Sequence, residues 1–65
     1  MKADFTFMKR EDESSEKVTL ERIEMEDTVH VPRVGDRIHF GGRDYDVFEV
    51  TWDFEKGVVF IAASF

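Results

Sequence analysis

The chain has no cysteine, one proline, four glycines and no apolar run longer than Val58 to Ala63. Lacking cysteine, it offers no disulfide framework, no thiolate zinc site and no cysteine nucleophile. Its longest apolar run falls far short of the roughly 20 residues that a membrane helix needs. The opening Met1-Lys2-Ala3-Asp4-Phe5 contains no uninterrupted apolar stretch of the kind a secretory signal carries. These absences predict a soluble, cytoplasmic protein held together by packing alone. No G-x-G-x-x-G or other phosphate-cradling loop occurs, and His30 and His39 are the only imidazoles.

What is present fits a small folded body. Sixty-five residues are expected to make one domain, 1–65, because so short a chain cannot bury two cores. Seven phenylalanines, one tyrosine and one tryptophan supply the large buried areas that such a domain needs without staples. Acids outnumber bases 15 to 9, unevenly. Residues 1–10 hold three bases and one acid, 11–27 hold two bases and eight acids, and 28–65 hold four bases and six acids. The formal net charge of −6 therefore equals that of 11–27 alone. Acidity on this scale favours solubility and opposes non-specific binding to nucleic acid or anionic lipid.

Apolar residues recur at every second position along most of the chain, which is the period of a half-buried strand. Ala3, Phe5 and Phe7 form one such face, and the polar stretch 10–15 reads as a connection. Val18 and Leu20 then share a parity that Ile23 and Met25 do not, so a strand here requires a bulge near Glu21-Arg22. A short helix over 16–26 is the alternative, although Val18, Thr19 and Ile23 are β-branched and favour the strand. Val29 and Val31 suggest a brief strand stopped by Pro32, followed by a turn at Val34-Gly35-Asp36.

Gly41-Gly42 is a hairpin signal, because both residues adopt positive φ without steric cost. That loop sets Ile38 opposite Tyr45 on one face, with Arg37 opposite Asp46 and His39 opposite Asp44 on the other. The apolar parity changes again after Val47, as in a bulged, bent barrel strand. A second hairpin around Glu55-Lys56 would put Trp52 opposite Val59, Val50 opposite Ile61 and Phe48 opposite Ala63. The expected class is all-β, a small SH3-like or otherwise partly open barrel of five to six short antiparallel strands.

Pro32-x-Val34-Gly35-Asp36-x-Ile38, Gly41-Gly42-Arg43-x-Tyr45-x-Val47 and Val50-x-Trp52 together resemble the core of small SH3-like barrels of bacterial and phage type. The same residues are similar to the corresponding core of phage head-tail joining proteins. The likeness runs from Pro32 to about Ile61 and implies a barrel used as an interaction module or a structural joint.

Sites of chemistry find little support. Two histidines and scattered carboxylates do not make the three or four convergent ligands of a zinc site. The acidic run 11–16 lacks the spacing and turn glycine of a calcium loop. Ser14 and Ser15 lie in an acidic connection and Ser64 is next to last, so no serine sits in a nucleophile motif. Neither a metal nor a cofactor is expected, and the chain reads as non-catalytic. Arg33, Arg37 and Arg43 lie near Phe40, Tyr45 and Trp52, as in single-strand binders, yet Asp36, Asp46 and Asp44 would neutralise them.

Two candidate contact surfaces follow. Glu21, Glu24, Glu26 and Asp27 could meet a basic partner, against the blander reading of a solvated face. Val58 and Phe60, grouped with Phe54 and Phe65, form an apolar strip that is either covered by the N-terminal strand or open to a partner or a second copy. The expected function is binding of another protein, as an adaptor or an inhibitor. A structural joint in a virion or other assembly and a single-strand nucleic-acid binder are the alternatives.

Overall fold

The computed structural model describes residues 2–10, 17–26 and 30–65. The expected class is found: five strands form one curled sheet, a partly open barrel. The strands are β1 (Lys2–Arg10), β2 (Lys17–Met25), β3 (Arg37–Phe40), β4 (Arg43–Asp53) and β5 (Val58–Ser64). Their order across the sheet is β2-β1-β5-β4-β3, so β2 and β3 are the two edges. Three of the four pairings are antiparallel, but β1 and β5 run parallel. A parallel pair needs a long connection, and the whole of β2, β3 and β4 supplies it.

Alternation fixes which side chains meet. Ala3, Phe5 and Phe7 of β1 register with Val59, Ile61 and Ala63 of β5, and all six are buried on the inner face. Tyr45 and Val47 of β4 complete the buried core, with Ile23, Ile38, Phe40 and Val50 packed partly against it. Curling is visible in one contact. The Phe7 and Phe40 rings stack at 4.6 Å although β5 and β4 lie between their strands. Neighbouring strands sit about 4.8 Å apart, so a flat sheet would hold these rings much too far away to touch.

Two bulges produce the bend, because an extra residue kinks and twists the strand that carries it. In β4 the register shifts between Val47 and Glu49, which lets Val47 and Val50 both face inward. Phe48 is the inserted residue, and Val47 rather than Phe48 stands opposite Ala63. In β2, Glu21 pairs with Phe7 and Thr19 with Met8, leaving Leu20 as the inserted residue. The bulge lies one position before the Glu21-Arg22 step expected from parity, and the segment is strand, not helix. The β-branched residues thus outweigh the helix formers, because pairing with β1 gives Ile23 a buried neighbour.

The Gly41-Gly42 hairpin has the register read from the sequence, Ile38 with Tyr45, Arg37 with Asp46 and His39 with Asp44. Both glycines have positive φ, 60° and 80°, as a type I′ turn requires. Trp52 pairs with Val59 and Val50 with Ile61, also as expected. The turn at Arg33 to Asp36 hydrogen-bonds onto β4: Gly35 N donates to Val47 O and Val47 N to Asp36 O, at 2.9 and 2.8 Å. Val31 is not in a strand. Pro32 removes a donor from this stretch, and the chain there serves the turn instead. Val29 lies outside the described residues.

Candidate functional site

The acidic candidates lie on the outer edge of the molecule. Glu21, Glu24 and Glu26 are exposed, Glu21 in the middle of β2, Glu24 near its end and Glu26 just past it; Asp27 lies outside the described residues. Alternation divides them. Glu24 registers with Asp4 on the outer face of the sheet, and Glu21 with Phe7 on the inner face. The Glu24 carboxylate takes an ion pair from Lys2 at 3.0 Å. This contact, with the Glu24 charge, holds the Lys2 ammonium above its ordinary pKa. Among the described residues neither Glu21 nor Glu26 has a cation within ion-pair distance.

Asp4 is the unusual member of this face. It is buried, and its Oδ2 accepts a 2.6 Å hydrogen bond from Arg22 Nη2. Its Oδ1 has no hydrogen-bond partner. Arg22, raised in pKa by this bond and by the Asp4 charge, registers with Thr6 and reaches diagonally to Asp4. The result is an alternating ladder of Lys2, Glu24, Asp4 and Arg22 tying β1 to β2. Without it, Asp4 and Glu24 would face each other as like charges.

The apolar strip does not form as one surface. Val58 and Phe60 are half-buried on the outer face, registering with Lys2 and Asp4 of β1. The N-terminal strand lies beside them rather than over them. Phe60 lines a shallow depression with Thr6, Met8, Glu49, Thr51 and Ala62, about 270 Å³ in volume. Phe54 belongs elsewhere: it is 80% exposed in the β4-β5 turn and its ring stacks 6.2 Å from that of Trp52. Phe65 packs edge-on to Tyr45 beyond the end of β5.

A further surface comes from the topology. Between the edges β2 and β3 the barrel is unclosed, and the gap is an apolar cleft of about 340 Å³. Phe5, Phe7, Ile23 and Met25 line one side, and Ile38, His39 and Phe40 the other. Beyond it, β2 exposes Val18, Leu20 and Met25 by 46, 48 and 51%. Sequence reading put Phe5, Phe7 and Ile38 on apolar strand faces and His39 on the opposite one, and expected a partly open barrel without placing its opening. Alternation reveals which residues face inward, but only strand order reveals which inward faces lack a cover, and the parallel β1-β5 pair has no local signal.

Of the three arginines near the aromatic residues, two are engaged by other side chains, while among the described residues no ion pair holds Arg33. Arg37 Nε contacts Asp46 Oδ1 at 3.2 Å and His39 Nδ1 contacts Asp44 Oδ1 at 2.7 Å, both pairs exposed. The Arg43 guanidinium sits 4.5 Å over the Phe65 ring. Asp36 accepts from the Arg33 backbone nitrogen at 2.8 Å. Among the described residues no three His, Asp or Glu side chains converge as metal ligands, and no helix is long and apolar enough to cross a membrane. Fold and surface together define a partly open β-barrel with an apolar cleft beside the edge strand β2. Comparison of the chain with protein-family models, with curated proteins and with solved structures finds no match.

Proposed function

We propose that this chain is a non-catalytic, acidic β-barrel module that binds a protein partner, as an adaptor or an inhibitor. The observation that carries the reading is the apolar cleft of about 340 Å³ opening beside the exposed Glu21 and Glu26. Apolar surface left uncovered in a domain this small is costly unless a partner covers it. The resemblance of residues 32–61 to SH3-like barrels of bacterial and phage type supports an interaction role. A non-catalytic reading is supported by the cleft lining, in which His39 is the one titratable side chain among the described residues and is held by Asp44.

The single-strand reading has one observation in its favour, the exposed Trp52-Phe54 stack. Against it, two of the three arginines near the aromatic residues are engaged, Arg37 by Asp46 and Arg43 over Phe65, which weakens a phosphate-binding groove there. A joint in an assembly predicts oligomers at high concentration. Protein binding is tested by affinity capture from the native cell, with mass spectrometry of what is retained. The expected result is a partner retained by the wild type and lost from a Glu21→Lys, Glu24→Lys, Glu26→Lys variant. Equal retention by both would sink the acidic surface as the contact.

A further inference from the structure

We infer that two copies of this chain associate about a two-fold axis, the Phe54 ring of each entering a depression on the other and Glu55 of each meeting the partner's Arg33. This depression shares no lining residue with the cleft between β2 and β3. The inference does not rest on the protein-binding reading above, and either can fail alone.

The depression follows from unequal strand lengths. β4 has eleven residues and β3 four, and the two pair only from Arg43 to Asp46 on β4. Past that point the segment before β3 lies along β4, tied at Val47 by Gly35 N and Asp36 O. Val31, Pro32, Arg33 and Val34 on one side, with Val50 and Trp52 on the other, line a depression of about 410 Å³. Val31 and Val50 pack partly against the core. Val34 and Trp52 do not close the site: they are 64 and 47% exposed.

The group that fills it is on the same molecule. Phe54 projects from the β4-β5 turn, where Asp53 accepts from the Lys56 backbone nitrogen at 3.1 Å and Gly57 takes a positive φ. Its stacking on Trp52 leaves most of the ring exposed. In a two-fold contact the same patch serves both copies, so one ring seated in the partner's depression implies the reciprocal seat. Aromatic and arginine side chains are also the types that concentrate at interface centres.

Charge sets the register. Arg33 is the one charged residue lining the depression. Asp36 spends its Oδ2 on the Arg33 backbone nitrogen, and among the described residues neither Arg33 nor Glu55 has an ion pair. Glu55 directly follows Phe54, so a seated ring carries its carboxylate toward the partner's guanidinium. Residues 30–34 and 50–57 hold two acids and two bases. Copies can meet there without net repulsion, whereas 11–27, with eight acids and two bases, would repel its like. Single-stranded nucleic acid fits less well, since one unpaired arginine faces phosphates on a chain of net charge −6.

Two seated rings bury less than a standard interface, which places the association in the weak, transient class. The test is sedimentation equilibrium of the intact chain at low salt from about 5 to 500 μM, with emission of Trp52, the single tryptophan. Mean mass should rise from 7.6 kDa toward twice that value, and the emission should shift to the blue in step. Phe54→Asp should stay monomeric throughout, with its fold checked by amide spectra. Arg33→Glu and Glu55→Arg should each weaken self-association roughly tenfold or more, yet an equimolar mixture of the two should associate as the wild type does. The mixture decides the matter even where Phe54→Asp loses its fold. A wild type monomeric at every concentration, a mixture that stays apart, or a folded Phe54→Asp that still dimerises would each overturn the inference. Growth past two copies would mean an open contact and overturn the two-fold. Quenching of Trp52 by a single-stranded oligonucleotide, with no self-association, would give the surface to nucleic acid and overturn it as well.

Discussion

The β3-β4-β5 meander and the β1-β2 hairpin solve the same packing problem with different completeness. In the meander the turns at Gly41-Gly42 and Gly57 use glycines with positive φ, and the cross-strand charges are matched, Arg37 to Asp46 and His39 to Asp44. In the hairpin, β1 is as buried as any strand, but β2 leaves Val18, Leu20 and Met25 about half exposed and Glu21 without a cation among the described residues. The meander and β1 form a scaffold that holds the whole buried core found among the described residues. The strand hung on its outside adds no residue to that core and leaves half-exposed apolar side chains along the cleft, and partner binding is proposed there.

The largest test of this division compares two isoleucines. Ile61, 1% exposed on β5, should lose about 2–5 kcal/mol of stability on replacement by alanine. Ile23 on β2 is only half-buried and should lose less than half as much, both read from urea unfolding. Equal losses would make β2 part of the scaffold and end the distinction. Next in size is Gly42→Ala. At φ 80°, with nothing within 4 Å of an added Cβ, the cost is conformational alone, about 1 kcal/mol. Leu20→Gln at the exposed β2 bulge should by contrast change stability by less than about 0.5 kcal/mol.

The same division explains what could be read from the sequence. The Gly41-Gly42 register was legible because a two-residue loop and three matched pairs are all local. The bulges at Phe48 and Leu20 left a readable change of parity, though it located the second only to within one residue. What stayed hidden was the parallel pairing of β1 with β5, between residues more than fifty positions apart. Nothing in Phe5, Phe7 or Ile23 distinguishes an inward residue under cover from one lining a gap. The acidic residues were legible as a cluster, but their split between two faces depended on pairing with β1.

Further substitutions probe the ladder that joins the two regions. Arg22→Met leaves the buried Asp4 carboxylate without its donor and should lower Tm, since a lone buried charge is costly. Asp4→Leu should lower it less, because the Oδ1 that lacks a partner is removed with the charge. The double variant should be more stable than Arg22→Met alone. If the second substitution brought no recovery, the burial of Asp4 would not be the reason the arginine matters.

The smallest effect is the pH dependence carried by Lys2. Its hydrogen bond to Glu24, and the Glu24 charge, raise its pKa in the folded chain above the ordinary 10.5. A group raised on folding contributes stability that is fully present below its unfolded pKa and is lost as pH climbs through the folded value. Nothing from this pair should therefore vary between pH 6 and 9. Between about pH 10 and 12, wild type should lose slightly more Tm than Lys2→Met, since the variant has no ammonium to titrate. Only the difference between the two curves reports the pair. Both partners are exposed, and added salt should shrink the difference. A difference that survived molar salt would mean that the β1-β2 ladder is shielded from solvent, and that the outer strand is bound to the scaffold more tightly than its exposure implies.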